Sequence, residues 1–136
     1  MSAHGKRMQR GFQVLRKMGR LQTMMDQKVL YPDLYDLSVG HLFGDIWTRP
    51  HLTLRERELI TLAANIALAR PVGTHSHYRS ARHIGMTQEE IMEVIIHVGH
   101  YAGWPTMSLA VGQFVQVLKE DAAQARHGKK KIRSKK

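Results

Sequence analysis

The chain has 136 residues, of which 43% are hydrophobic and none is cysteine, and its formal net charge is +10. This length suits a single domain, and no apolar run approaches the roughly 20 residues that a membrane-spanning helix needs. The lack of cysteine excludes disulfides, thiolate metal sites and thiol nucleophiles. Together with an N-terminus that does not resemble a secretory signal, it favours a cytoplasmic protein.

The positive charge is concentrated at the two ends of the chain. Residues 1–20 contain six Lys or Arg, residues 126–136 contain seven, and neither segment contains an acid. The residues between them, 21–125, carry eight basic against eleven acidic side chains. We therefore expect one folded domain over 1–125, without the basic stripe of a nucleic-acid-binding domain. We expect residues 126–136 to form a basic, disordered tail that binds polyanions only weakly.

The first half of the chain has apolar residues at helical spacing. These positions predict helices over about 6–20, 21–30 and 33–46. Gly40 and Gly44 weaken the third of these predictions, because glycine is unfavourable inside a helix.

Two capping boxes mark helix starts in the second half, Thr53 with Glu56 and Thr87 with Glu90. The first of these helices ends before Pro71. Two more helices are predicted in this half, one over about 74–84 closed by Gly85, and one from Pro105 to about 126. No segment has the pattern of a strand, so the predicted fold class is all-α, a bundle of six to seven helices.

The histidines do not form a recognisable metal motif. His75 and His77 are two residues apart and point to different sides of a helix, and the HExxH pair is absent. His97 and His100 are spaced to share a metal, but no third ligand is evident, so we predict no metal site. A serine hydrolase is also disfavoured, because the GxSxG elbow is missing.

Glu58 is the carboxylate that best fits acid–base chemistry. It lies in a helix whose next turns are strongly apolar, and a half-buried carboxylate can orient a histidine and favour its protonated form. Two readings stay open at this point: Glu58 serves such a site, or it pairs with Arg55 or Arg57 at the surface.

The order of several motifs resembles the carboxymuconolactone decarboxylase family, a branch of the alkylhydroperoxidase D-like superfamily. The motifs are "WTRP" (47–50), "GMTQEEI" (85–91) and "HVGHYAGWP" (97–105), and the similarity covers about residues 6–120. Redox members of the superfamily carry a glutamate, a CxxC pair and a histidine. On this sequence the glutamate falls on Glu58, the histidine on His77 and the two cysteines on Arg70 and Gly73. A thiol-based peroxidase is therefore excluded.

The resemblance implies an all-helical protomer that forms a homotrimer or hexamer, with a pocket between helices near the subunit contacts. It also implies decarboxylation of an acidic lactone such as 4-carboxymuconolactone, a step in aromatic catabolism, without a cofactor. The expected roles are general acid–base for His77, oriented by Glu58, and polarisation of the lactone by His97. The expected substrate-binding residues are Trp47, Arg49, Arg79 and Tyr101.

Other functions remain open from the sequence. The stretch "VGTHSH" (72–77) departs from typical decarboxylases of the family, which leaves another small lactone or a keto acid as an alternative substrate. A polyanion-binding helical protein that uses its basic ends, and a catalytically silent oligomeric scaffold, are the competing hypotheses from other functional classes.

Overall fold

The computed structural model describes the backbone of residues 1–133 and the side chains of these residues except Gln27, 71–74 and 130–133. The regular elements are α1 (Ala3–Lys17), α2 (Leu21–Leu30), α3 (Pro32–Asp36), a π-helical segment (Leu37–Ile46), α4 (Leu54–Ala67), α5 (Pro71–His83), α6 (Gln88–Ala102) and α7 (Trp104–Arg133). No strand occurs in the described backbone, and the predicted all-α class is confirmed. Within it, no helix has the length and apolar character that crossing a membrane requires.

Short-range sequence signals set the helix ends in the second half. The Thr53 side chain accepts a hydrogen bond from the Glu56 N–H (3.2 Å), while Glu56 accepts from the Thr53 N–H (2.6 Å). Thr87 and Glu90 repeat this arrangement at the start of α6. Both predicted capping boxes are confirmed, and each satisfies backbone donors that the first helical turn leaves free.

Two helix predictions need correction. The segment predicted as one helix over 33–46 is a short α3 followed by ten π-helical residues, in which Trp47 N–H donates to the Leu42 carbonyl at 3.0 Å. The periodicity of apolar residues does not distinguish these two helix types.

The last helix runs to Arg133, past its predicted end near 126. It therefore includes part of the segment that was predicted to be a disordered tail. Lysine and arginine are good helix formers and favour a helix C-terminus, so the basic composition continues the helix. Residues 134–136 of the predicted tail lie outside the described residues.

The buried side chains form two clusters. One comes from α1 to α3 and the π-helical segment, and the other from α4 to α7. Ile84, just after α5, packs against both clusters. Trp47 belongs to the first cluster, whereas Glu58 on α4 and His77 on α5 belong to elements of the second half. The two halves therefore meet close to the residues expected to form the site.

Two glycines allow α1 to lie directly against the π-helical segment. A Cβ added to Gly11 would lie 1.9 Å from the Val39 carbonyl oxygen, and one added to Gly44 would lie 2.3 Å from the Arg7 carbonyl oxygen. A Cβ atom is essentially never this close to a carbonyl oxygen. Any residue other than glycine at these two positions would therefore force the two backbones apart. Gly44, which weakened the helix prediction, is thus required by packing.

We expect Gly11→Ala to lower the free energy of unfolding by about 2 kcal/mol or more, because the clash is with backbone atoms that cannot rotate away. Gly112→Ala is the matched control. Gly112 is exposed inside α7 with nothing within 4 Å of the added Cβ, so alanine should stabilise the protein by about 0.5–1 kcal/mol. Urea unfolding of both variants measures the difference, and equal effects would contradict the proposed contact.

Candidate active site

Glu58 and His77 form a buried pair between α4 and α5. His77 Nδ1 lies 2.7 Å from Glu58 Oε1, with the glutamate side chain fully buried and the histidine side chain 12% exposed. The other oxygen, Glu58 Oε2, is also buried and has no hydrogen-bond partner among the described residues. A buried carboxylate needs compensation, and His77 is the group that supplies it here.

The alternative reading of Glu58, an ion pair with a neighbouring arginine at the surface, is wrong. Arg55 instead pairs with Glu90 on α6, with 2.5 Å between Nη2 and Oε1. Arg57 donates through Nη2 to the Arg49 carbonyl oxygen at 2.7 Å. Both arginines, which precede Glu58 in sequence, are therefore engaged away from its carboxylate.

The glutamate decides which nitrogen of His77 carries the proton. An ionised carboxylate can only accept hydrogen bonds, and with Glu58 in that form we assign Nδ1 of His77 as the donor. In the neutral ring, Nε2 then holds the lone pair, and in the charged ring it holds a second N–H. On that side lies Arg20, whose Nη1 is 3.5 Å from His77 Nε2.

A cavity of about 410 Å³ lies beside this pair. Its lining combines one imidazole, one guanidinium and two hydroxyls with a larger set of apolar side chains: His77, Arg20, Ser38, Thr61, Met24, Leu34, Leu42, Phe43 and Trp47. The Trp47 ring stacks on His77 with centroids 6.1 Å apart and planes 12° apart. A mostly apolar cavity with few polar groups, of this size, suits a small organic molecule. Trp47, one of the predicted substrate-binding residues, lines this cavity beside His77.

Arg20 lines the cavity but was not among the predicted site residues. It lies at the end of the basic segment 1–20, whose charge was interpreted as a whole. Gly19 adopts a φ of +68°, and the Arg20 N–H returns to the Leu15 carbonyl at 2.8 Å. This helix-ending turn brings the Arg20 guanidinium to 5.5 Å from the Phe43 ring centroid. Burial lowers the pKa of Arg20 from its ordinary value, and the Glu58 carboxylate acts in the opposite direction. Gly19, which predicts the end of a helix just before Arg20, was the sequence signal that could have pointed to this residue.

The other predicted substrate-binding residues do not line this cavity. Arg79 pairs with Glu120, and its Nε lies 3.1 Å from Asp121 Oδ1. Its charge is therefore already matched. Arg49 is exposed, and Tyr101 is 85% exposed. The structure gives none of these three residues a contact with the His77 side chain.

His97 lies in a different place from the one expected. It lines a separate groove of about 460 Å³ with Leu59, Ile60, Ala63, Glu93, Val94 and Val98. Ile60 and Ala63 lie about 200° and 140° around α4 from Glu58, at 100° per residue. The groove is consequently on another side of α4, and the expectation that His97 joins Glu58 and His77 is corrected.

The remaining sequence predictions concern a metal site and the cysteine positions of the superfamily. Among the described residues, no three His, Asp or Glu side chains are placed to hold one metal ion. The position of the second superfamily cysteine, Gly73, is in the first turn of α5 and lies outside the residues whose side chains are described.

The chain is similar to one protein family and to two curated proteins. The model of the carboxymuconolactone decarboxylase family matches residues 32–116. A 4-carboxymuconolactone decarboxylase of Acinetobacter baylyi is 35% identical over 78 residues, 57% of this chain and 58% of that protein. A nitrosuccinic acid decarboxylase of Metarhizium robertsii is 34% identical over 64 residues, 47% of this chain and 45% of that protein. The matched stretches span about half the length of these relatives.

The segment that the family model matches contains most of the residues that line the cavity. Residues 32–116 include Trp47, Glu58 and His77, while Arg20 precedes the matched segment. Since this segment covers more than half of the chain and contains the buried acid–base pair, the protein is a member of the carboxymuconolactone decarboxylase family.

Proposed function

We propose that the protein is a cofactor-independent decarboxylase whose substrate is a small carboxylic acid that carries its own electron acceptor, such as a carboxylated lactone. The observation that carries this proposal is the 2.7 Å contact of Glu58 with His77 at the wall of the cavity. The two relatives support it, because both are named as decarboxylases. Their named acids each contain an electron-accepting group, a lactone in one and a nitro group in the other.

The reaction needs one proton and no electron from outside the substrate. The bond between carbon and the leaving carboxylate breaks, carbon dioxide departs, and the bonding electron pair moves into the acceptor group of the substrate. The carbon skeleton then takes up a proton. Because the acceptor belongs to the substrate, the protein has to supply the proton and stabilise the charge that develops on the acceptor.

His77 is the proposed proton donor. In its charged form, His77 holds a proton on Nε2 that can pass to the substrate carbon, and Glu58 offsets the imidazolium charge while it accepts from Nδ1. After transfer, the neutral ring keeps its Nδ1 proton and regains the Nε2 proton from water. Glu58 does not exchange a proton with the substrate. It acts by holding the ring in one tautomer and one orientation.

The cavity lining suits the loss of charge from the leaving carboxylate. Apolar side chains such as Met24, Leu42 and Phe43 displace water. A charged carboxylate is poorly solvated in such surroundings, whereas neutral carbon dioxide is not, so the lining favours the departure of carbon dioxide. The Thr61 hydroxyl donates to the Arg57 carbonyl oxygen at 2.8 Å, and its hydrogen is already used. Ser38 is therefore the lining hydroxyl proposed to donate to the acceptor oxygen.

We expect His77→Gln to reduce kcat by about 10² to 10⁴, because glutamine can still donate to Glu58 but cannot transfer a proton. Glu58→Gln should reduce kcat by a smaller factor. His97→Gln is the matched control and should keep turnover, because His97 lines another groove. The assay follows the loss of lactone absorbance with 4-carboxymuconolactone, followed by other carboxylated lactones, keto acids and nitro acids.

Two outcomes would contradict this proposal. Full turnover in His77→Gln would exclude the acid–base role of His77. A folded wild-type protein that turns over none of these acids would favour the alternative of a catalytically silent scaffold.

We also propose that the protein functions as a homotrimer or homohexamer, as the family resemblance implies. Several large apolar side chains are exposed on the single chain, among them Ile60 at 55%, Leu68 at 63% and Trp104 at 69%. Surfaces of this kind commonly become interfaces. Sedimentation velocity at micromolar concentration should give the mass of three or six chains, and a monomer would contradict the proposal.

A further inference from the structure

We propose that Arg20 is the residue that binds the carboxylate that the substrate keeps through the reaction. This inference rests on the proposed function, because it assigns a second subsite in the same cavity. One carboxylate would leave as carbon dioxide, and the other would stay bound to Arg20, beside His77.

The first support is that Arg20 is a cation without a matching anion. It forms none of the ion pairs between described residues, whereas Arg79 and Arg82 nearby both pair with Asp121. The negative charge that acts on Arg20 is Glu58, but these two side chains form no ion pair, and the carboxylate contacts His77 instead. Arg20 thus brings a positive charge and several N–H donors to the cavity wall.

The second support is the distance between Arg20 and His77. Nη1 and Nε2 are 3.5 Å apart, which is long for a hydrogen bond between nitrogens. A carboxylate that binds to the guanidinium at this place lies beside Nε2, so the substrate carbon that takes up the proton is held within reach of His77. The planar fork of arginine matches two carboxylate oxygens, and the Phe43 ring below the guanidinium supports its position.

The chemistry of decarboxylation distinguishes the retained from the leaving carboxylate. A guanidinium stabilises a carboxylate as an anion and so opposes its conversion into neutral carbon dioxide. A retained carboxylate keeps its charge, so the same contact costs nothing during the reaction. The leaving group is then assigned to the apolar part of the lining, formed by Met24, Leu34 and Leu42.

Arg20 also comes from a part of the chain that the family model does not match, since the match begins at residue 32. The acid–base pair and the anion-binding group therefore belong to different segments. Substrate choice can change through the N-terminal segment while the proton chemistry of Glu58 and His77 is kept.

Calorimetric binding of benzoate and benzamide tests this subsite without any turnover. The two molecules have the same shape, and only benzoate is charged. We expect benzoate to bind the wild-type protein at least about tenfold more tightly. Arg20→Gln should remove this preference and leave benzamide binding unchanged. Arg16→Gln is the matched control: Arg16 is an exposed arginine at the end of α1, and its loss should change neither affinity.

Equal benzoate affinity in wild type and Arg20→Gln, or no preference for benzoate in the wild type, would overturn the proposal. If Arg20→Gln does not fold, as judged by circular dichroism, Arg20→Lys decides. Lysine keeps the charge without the fork, so benzoate binding should weaken several-fold, and an unchanged affinity would overturn the proposal.

Kinetics separate this inference from the proposed function. With an active dicarboxylic substrate, Arg20→Gln should raise KM at least about tenfold and change kcat little. A fall in kcat at unchanged KM would overturn the retained carboxylate and assign Arg20 to the developing charge. Arg20-dependent benzoate binding in a protein that lacks decarboxylase activity would support the subsite and contradict the proposed function.

Discussion

The hydrogen bond between Glu58 and His77 is the interaction on which the rest of the site depends. A fully buried carboxylate is strongly unfavourable unless a partner compensates it, and removing the partner of such a pair costs about 3–5 kcal/mol. The pair lies at the contact of α4 with α5, so the structure must hold these two helices in one arrangement. The same contact turns the Nε2 side of His77 toward Arg20. The contact that compensates the buried carboxylate is therefore the same contact on which the proposed proton chemistry depends.

The site lies at the junction of two packed halves. Arg20, Phe43 and Trp47 come from the N-terminal half, and Glu58 with His77 come from the C-terminal half. The close contact of α1 with the π-helical segment, which Gly11 and Gly44 allow, holds the N-terminal side of the cavity in place. In the proposed reaction each half has a different part: the C-terminal half would supply the proton, and the N-terminal half would supply the apolar wall and the cation.

Sequence reasoning was successful where a feature depends on neighbours along the chain. The capping boxes at Thr53 and Thr87 are four-residue patterns, and both are present. Glu58 and His77 were found through a family motif with fixed spacing. Arg20 was missed because it meets His77 across 57 residues of sequence, and Arg79 was misassigned because Asp121, which neutralises it, is 42 residues away. Such contacts are set by tertiary packing, which periodicity alone does not predict.

In the proposed site, Glu58 holds a proton on Nδ1 of His77 and so keeps Nε2 available to the substrate. Nitrogen-15 NMR of labelled protein, at a pH where His77 is neutral, measures this directly through the shifts of its two ring nitrogens. The structure predicts the Nδ1–H tautomer for His77. Exposed His97 provides an internal reference in the same spectrum. A neutral His77 with its proton on Nε2 would contradict the account.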